Sequence, residues 1–295
     1  MNLYTINTGF FKLDGGAMFG AVPKTIWNKL NPADENNLCD WALRSLLIED
    51  GNRLILVDNG IGDKQSVKFL SFYYLHGEDS LNSSLAKHGF NRDDITDVLL
   101  THLHFDHCGG SIVRKGEELV PAFRNATYWS NGRHWKWATE PNEREKPSFL
   151  KENILPIRES GQLKMVDILH STDESEKKMP AHLRHVSTEL PHLSLRFVYG
   201  HTDAMMLPQI THGDKTIVFV SDLIPSTAHL PVSYIASYDM FPLSSLNEKK
   251  LFLREAIDND YILFFQHDPL IECCNLKLTE RGTRMKESFS LKDIA

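Results

Sequence analysis

Apolar positions divide the first hundred residues into short extended runs and two helical ones. Residues 3–8, 43–49 and 54–58 have the composition of strands, and Asp50-Gly51-Asn52 supplies a turn between the last two, so 43–58 is predicted as a hairpin. Apolar residues recur at helical spacing over 67–75 and again over 81–88, where Gly89 marks the stop. The apolar run 95–100 then ends abruptly in the polar segment THLHFDHCGG, the pattern of a strand that delivers a loop.

The stretch 133–162 is rich in tryptophan, charge and proline, and it predicts a helical insertion with two helices rather than core sheet. Strands resume over 193–199, 206–212 and 215–220. Ser245 and Glu248 have capping-box spacing and open a predicted helix that runs to about residue 258. A last buried strand is predicted at 261–265, ahead of Gln266-His267-Asp268-Pro269. No internal repeat is visible, and this order of elements predicts an α/β sandwich formed by residues 1–295 as one domain.

Composition narrows the function. With 295 residues, 41% apolar and 24% charged, the chain can bury a full core. A net charge of -7, with no run of Lys or Arg longer than two, gives no footprint for a polyanionic backbone, so nucleic acid is not an expected partner. The N-terminus lacks the basic start and apolar core of a signal peptide. Apolar stretches such as 217–220 and 261–265 fall far short of the ~20 residues of a membrane span. No membrane partner and a cytoplasmic location are expected. Four cysteines, two of them adjacent at 273 and 274, are read as free thiols, and Cys108 as a small buried residue.

The chemistry concentrates in Thr101-His102-Leu103-His104-Phe105-Asp106-His107. In an extended chain His102, His104 and Asp106 point one way, and the Gly109-Gly110 turn lets His107 join them. Zinc takes about four ligands, so these side chains together with others downstream exceed what one ion uses.

HLHFDH resembles the H-x-H-x-D-H motif of the metallo-β-lactamase superfamily. The rest of that pattern follows in order as Gly200-His201-Thr202, Ser221-Asp222 and Gln266-His267-Asp268. The resemblance implies a four-layer αββα sandwich. It assigns one metal to His102, His104 and His201, the other to Asp106, His107 and His267, and makes Asp222 the bridge. The implied cofactors are two divalent ions, Zn2+ first, with Mn, Fe and Co open. Such a pair shares a hydroxide at neutral pH, and its net positive charge stabilises a developing oxyanion. Asp106 is then the expected proton shuttle, so Asp106 and Asp222 are the catalytic candidates.

Asp222 argues against β-lactam hydrolysis, because true metallo-β-lactamases generally lack that bridging aspartate. HLHFDHCGG, the stretch GGAMFGAVPKTIW at 15–27 and the ending Phe-Phe-Gln-His-Asp-Pro resemble the quorum-quenching N-acyl-homoserine lactonases and the methyl-parathion-hydrolase-like enzymes. Two positions depart from that pattern. Met205 stands where a second, structural histidine is usual, and Pro225 where several lactonases carry a substrate-binding tyrosine. A phenol would instead come from Tyr234 or Tyr238. Phe19, Trp27 and Phe105 are candidates for an apolar substrate pocket, and His229 could face the substrate. His76, His88, His134, His170, His182, His185, His192 and His212 are read as surface residues. The expected function is the opening of small lactones by a dinuclear hydrolase acting on a small-molecule substrate. A phosphotriesterase or arylesterase is the alternative, a non-catalytic metal-binding protein ranks third, and a homodimer is left open.

Overall fold

A computed structural model describes residues 1–166 and 185–294. The chain divides into two compact units, Met1–Gly9 with Leu43–Ile168 and Phe10–Ala42 with Leu169–Ala295.

The first unit carries most of a six-stranded sheet, of which residues 10–14 and 38–42, in its first two strands, fall in the second unit. The strands are β1 (Asn2–Asp14), β2 (Leu38–Asp50), β3 (Arg53–Val57), β4 (Asp97–Leu99), β7 (Thr127–Asn131) and β8 (Leu163–Val166), ordered β1-β2-β3-β4-β7-β8. β2 and β3 form the expected hairpin, with Leu46 opposite Val57 and Asp50 opposite Arg53. β3, β4, β7 and β8 run parallel. Parallel strands covered on both faces need continuous apolar runs. Leu56, Val98 and Tyr128 accordingly share one buried cluster with Leu47, Trp135 and Ile154. A small hairpin of β5 (Ile112–Lys115) and β6 (Glu118–Pro121) lies outside this sheet.

The predicted helices of this unit form with shorter bounds. Ser66 caps α3 (Val67–Ser71), and Ser80 with Ser83 makes a capping box for α4 (Leu81–Lys87), which ends before Gly89 at φ +82°. α5 (Phe105–Cys108) is a single turn inside the histidine motif. The stretch 133–162 contains most of α6 (Gly132–Thr139) and all of α7 (Lys151–Glu159).

The second unit holds the short helices α1 (Gly15–Phe19) and α2 (Lys24–Trp27) and a seven-stranded sheet of β9 (His185–Ser187), β10 (Leu193–Val198), β11 (Met205–His212), β12 (Lys215–Phe219), β13 (Ile262–Phe264), β14 (Cys273–Thr279) and β15 (Gly282–Phe289), in the order β15-β14-β13-β12-β11-β10-β9. Only β12 and β13 pair in parallel. The strand at 261–265 is therefore not the last one. The hairpin β14–β15 was hidden because its outer half carries Lys277, Lys286 and Glu287, and because a register shift between Cys274 and Leu276 breaks the alternation.

The predicted helix start at Ser245 also shifts. α8 spans Pro242–Asp258, with proline in its first turn, where a fixed φ favours initiation and no N–H is needed. Ser245 is buried inside this helix, and Glu248 turns away from the helix terminus toward another loop. Val218, Val220, Phe252, Leu253 and Leu263 belong to one core cluster of this unit. The four cysteines are free and buried, and Cys108 Sγ donates to Leu103 O at 3.3 Å. No helix among the described residues is long and apolar enough to cross a membrane.

Candidate functional site

In the first unit the motif leaves β4 and is caught at once by Asp58, the residue after β3. Asp58 Oδ1 accepts the Thr101 N–H at 2.8 Å and Oδ2 accepts the Thr101 hydroxyl at 2.7 Å. Extended backbone lasts only as far as His104, whose φ of -64° and ψ of 151° start α5. Asp106 and His107 thus lie on a helical turn, a correction to the extended reading of all three alternate positions. The N–H groups of His107 and Cys108 both donate to His104 O at 3.1 Å, and it is this turn that carries His107 inward. The turn can close because Gly109 has no side chain: a Cβ there would fall 2.1 Å from Ile61 O.

Each histidine of this loop has one ring nitrogen anchored. His107 Nδ1 lies 3.0 Å from Asp58 Oδ2, and His104 Nε2 lies 2.9 Å from Glu145 Oε1. A carboxylate only accepts, so both anchored nitrogens carry the proton. The Thr101 hydroxyl gives its proton to Asp58 and so accepts from His102 Nδ1 at 3.1 Å. The lone pairs therefore sit on His102 Nε2, His104 Nδ1 and His107 Nε2. The first two of these atoms are 3.0 Å apart. Two ligands of one tetrahedral zinc at about 2.0–2.1 Å stand about 3.3 Å from each other, so a shared cation fits and relieves the facing lone pairs. Asp106 Oδ2 lies 3.7 Å from His107 Nε2.

In the second unit His201 follows β10 on a loop gripped by Glu248, whose two carboxylate oxygens accept the N–H groups of Tyr199 and Gly200 at 2.8 and 3.0 Å. His201 Nδ1 donates to Asp239 Oδ1 at 2.9 Å, and His267 Nδ1 donates to the Ala42 carbonyl at 2.8 Å. Their Nε2 atoms each lie 3.2 Å from a different oxygen of Asp222, which follows β12 on a short helical turn. The two Asp222 oxygens thus each face one imidazole nitrogen, a repulsion that bound metal would relieve. Asp268 fixes the neighbouring loops by accepting from Thr227, Leu270 and Ile271. Met205 is buried beneath this region, its sulfur 3.7 Å from Ser221 Oγ.

The other candidates divide between the two units. Phe19 is sandwiched in the second, with its ring 4.5 Å from His229 at 1° and 5.2 Å from Trp27 at 8°. His229 is 1% exposed, with Nε2 donating to Met18 O at 3.0 Å and Nδ1 facing Ser226 Oγ at 2.9 Å. Burial pushes its pKa down to about 3, so the ring stays neutral. Tyr234 is half-buried and Tyr238 is exposed. In the first unit Phe105 packs against Tyr73 and Phe69 at 4.7 and 5.5 Å.

His134, read as a surface residue, is fully buried and its Nε2 accepts the Leu103 N–H at 2.9 Å, so it supports the motif loop. His76, His88 and His192 are exposed and His212 is half-buried, whereas His170, His182 and the His185 side chain lie outside the described residues. The sequence reading missed Asp58, Glu145, Asp239 and Glu248. Asp58 alone had a local signal, an acid directly after the apolar run Leu-Ile-Leu-Val.

Residues 44–267 match the family model of the metallo-beta-lactamase superfamily. This chain belongs to the metallo-β-lactamase superfamily. It is accordingly a metal-dependent hydrolase with the mixed α/β fold of that superfamily. Among solved structures it is similar to a probable metal-dependent hydrolase from Staphylococcus aureus, with 26% identity, 98% of this chain and 96% of that chain covered, and a TM-score of 0.84. AidC, a dizinc quorum-quenching lactonase, is 23% identical over 97% of this chain and 94% of its own, with a TM-score of 0.75. An N-acyl homoserine lactone hydrolase with N-hexanoyl-L-homoserine at its catalytic metal centre is 21% identical, covering 90% and 93%, with a TM-score of 0.64. The last two share the fold of this superfamily member.

Proposed function

We propose that this hydrolase uses two divalent ions, Zn2+ first among them, to open small lactones of the N-acyl-homoserine type. One ion is assigned to His102, His104 and His201, the other to Asp106, His107 and His267, with Asp222 between them. The observation that carries the reading is the anchoring of all five histidines by their outer nitrogens, which turns the inner lone pairs toward ligand-type atoms. Metal-binding histidines are oriented in this way by acceptors behind them. When bound, such a pair of ions supplies a deprotonated water at neutral pH and positive charge toward a developing oxyanion.

The chain's own residues do the rest. Asp106 stands at the start of a helical turn, beside His107, where its carboxylate can take a proton and return it to the leaving alkoxide. Phe105, packed on Tyr73, is the apolar candidate with surface to offer an acyl chain, and the Trp27-Phe19-His229 stack, 0–1% exposed, would serve as rigid backing rather than as a contact surface. Tyr238 is the more exposed of the two candidate phenols, and Tyr234, half-buried, is the second candidate for hydrogen bonding to the lactone. A single metallo-β-lactamase domain suits the family match, which runs through both units. A cytoplasmic location and a homodimer remain parts of this proposal.

Pro225, where several lactonases carry tyrosine, favours the second reading, an arylesterase or phosphotriesterase using the same centre. The test is turnover of acyl-homoserine lactones, aryl esters and phosphotriesters by metal-loaded protein. Lactone opening is expected to be fastest. Fast aryl ester cleavage without lactone opening reverses the order, and stoichiometric metal with no turnover on any of these substrates replaces both readings with a binding protein. Asp106→Asn should keep both metals and lose most of the rate; full turnover in that variant removes the proton-shuttle role.

A further inference from the structure

A second concave site lies within the first unit and shares none of the residues assigned above. It is a cavity of about 710 Å³ lined by Lys64, Arg92, Arg114 and Lys115, by Asp63 and Asp93, by Asn82 and Asn91, and by the small apolar residues Val113 and Ala122. The chain carries a net charge of -7, yet this wall has four cations against two carboxylates. One of those carboxylates is already engaged, since Asp93 pairs with Arg124 at 2.6 Å.

Lys64 is the unusual member. It is 7% exposed, and among the described residues its ammonium has a single acceptor, the Gly109 carbonyl, with no carboxylate within ion-pair distance. A buried ammonium with a neutral partner keeps a large desolvation cost that an anion would offset. Arg92, half-buried, holds Asn82 Oδ1 with Nε at 2.6 Å and lies over the Phe123 ring at 5.8 Å. This fixes the guanidinium plane and leaves its two Nη groups with no partner among the described residues. Arg114 and Lys115 are exposed and form the rim.

We propose that this cavity binds a small phosphate monoester with a polar, hydroxyl-bearing body, its phosphate held by Lys64 and Arg92 and its approach guided by Arg114 and Lys115. A phosphate dianion answers the excess of positive charge, and the planar guanidinium and the point-charge ammonium are the two side chains that recognise it best. The volume exceeds that of a bare phosphate, and Asn82 Nδ2 can donate to a hydroxyl group, whereas the Asn91 amide is spent on its own turn, accepting from the Asp93 N–H and donating to Asp94.

The test uses the metal-loaded protein and glucose 6-phosphate in isothermal titration, with glucose and glucuronate as the uncharged and carboxylate controls. Binding of one glucose 6-phosphate with Kd below about 1 mM is expected, with no heat from glucose and weaker binding of glucuronate. The double variant Arg114→Gln/Lys115→Gln changes only exposed side chains and should weaken glucose 6-phosphate by roughly tenfold. Lys64→Met should weaken it further, and unchanged circular dichroism would show that the fold persists. Absence of binding, equal affinity for glucuronate, or an affinity unaltered in both variants, as expected for phosphate held by the metal centre, would overturn the proposal.

Discussion

Asp58 Oδ2 accepts the Nδ1 proton of His107 at 3.0 Å, with both side chains fully buried. The same carboxylate holds the Thr101 hydroxyl at 2.7 Å, and that hydroxyl faces His102 Nδ1. One residue thus sets the tautomer of two candidate ligands, directly for His107 and through threonine for His102. Such outer partners are worth 10- to 100-fold in metal affinity. Asp58→Asn keeps the size but loses the charge and one acceptor. It should weaken metal binding by about that factor in chelator competition, with little change in the circular dichroism spectrum.

Lys249 makes stability depend on pH in a defined window. The side chain is buried on α8, its ammonium donating to Tyr234 O at 2.7 Å, and burial pushes its pKa down to about 7 from an ordinary 10.5. Between those values the unfolded chain holds a proton that the folded chain has released, so the folded state gains stability as pH rises from about 7 toward 10.5. Urea denaturation of metal-loaded protein should show a gain of about 2 kcal/mol between about pH 7 and 8.5, below the range in which the buried thiols of Cys39, Cys108 and Cys274, kept protonated by the fold, begin to oppose it. Lys249→Met should flatten the rise, and an unchanged slope in that variant would assign it to other groups.

The parts legible in the sequence were those with local period or order. The hairpin at Leu46–Val57, the strand before the motif and the strands before His201, Asp222 and His267 are apolar runs cut off by polar loops, and the structure places strands there. The acceptors behind the histidines had no such mark. Glu145 lies in a charged segment where an acid is unremarkable, and only its 2.9 Å contact with His104 singles it out. Glu248 fitted a capping box by spacing, but Pro242 starts the helix earlier and leaves the carboxylate to the Tyr199 and Gly200 amides. His134 was unreadable for the same reason: its role is a backbone contact thirty-one positions away.

The close approach at Gly109 predicts a large effect from a small substitution. A Cβ added there would sit 2.1 Å from Ile61 O and 2.5 Å from Ile61 C, both backbone atoms that cannot swing aside. Gly109→Ala must push the 59–62 loop away from the end of α5, the turn that carries Asp106 and His107. A loss of about 3 kcal/mol or more and a fall in Tm of several degrees are expected, accompanied by reduced metal content. Gly116→Ala is the control, since nothing lies within 4 Å of a Cβ there, although its φ of +61° adds a modest backbone cost.

Glu145 connects the stretch between β7 and β8 to the motif. Its Oε1 accepts from His104 Nε2 at 2.9 Å and its Oε2 accepts the indole N–H of Trp137 at 2.6 Å, in a position that is 2% exposed. His104 therefore depends for its ring orientation on a segment that looked like an appendage in the sequence. Glu145→Gln can keep one of these bonds but must turn its amide N–H₂ toward the other donor. Metal affinity should fall by about 10- to 100-fold, as for Asp58→Asn. Glu145→Ala leaves the N–H of the half-buried Trp137 without this acceptor, so the tryptophan emission should shift as well. Altered emission with unchanged metal affinity would reduce Glu145 to a partner of Trp137 and remove its role in aiming His104.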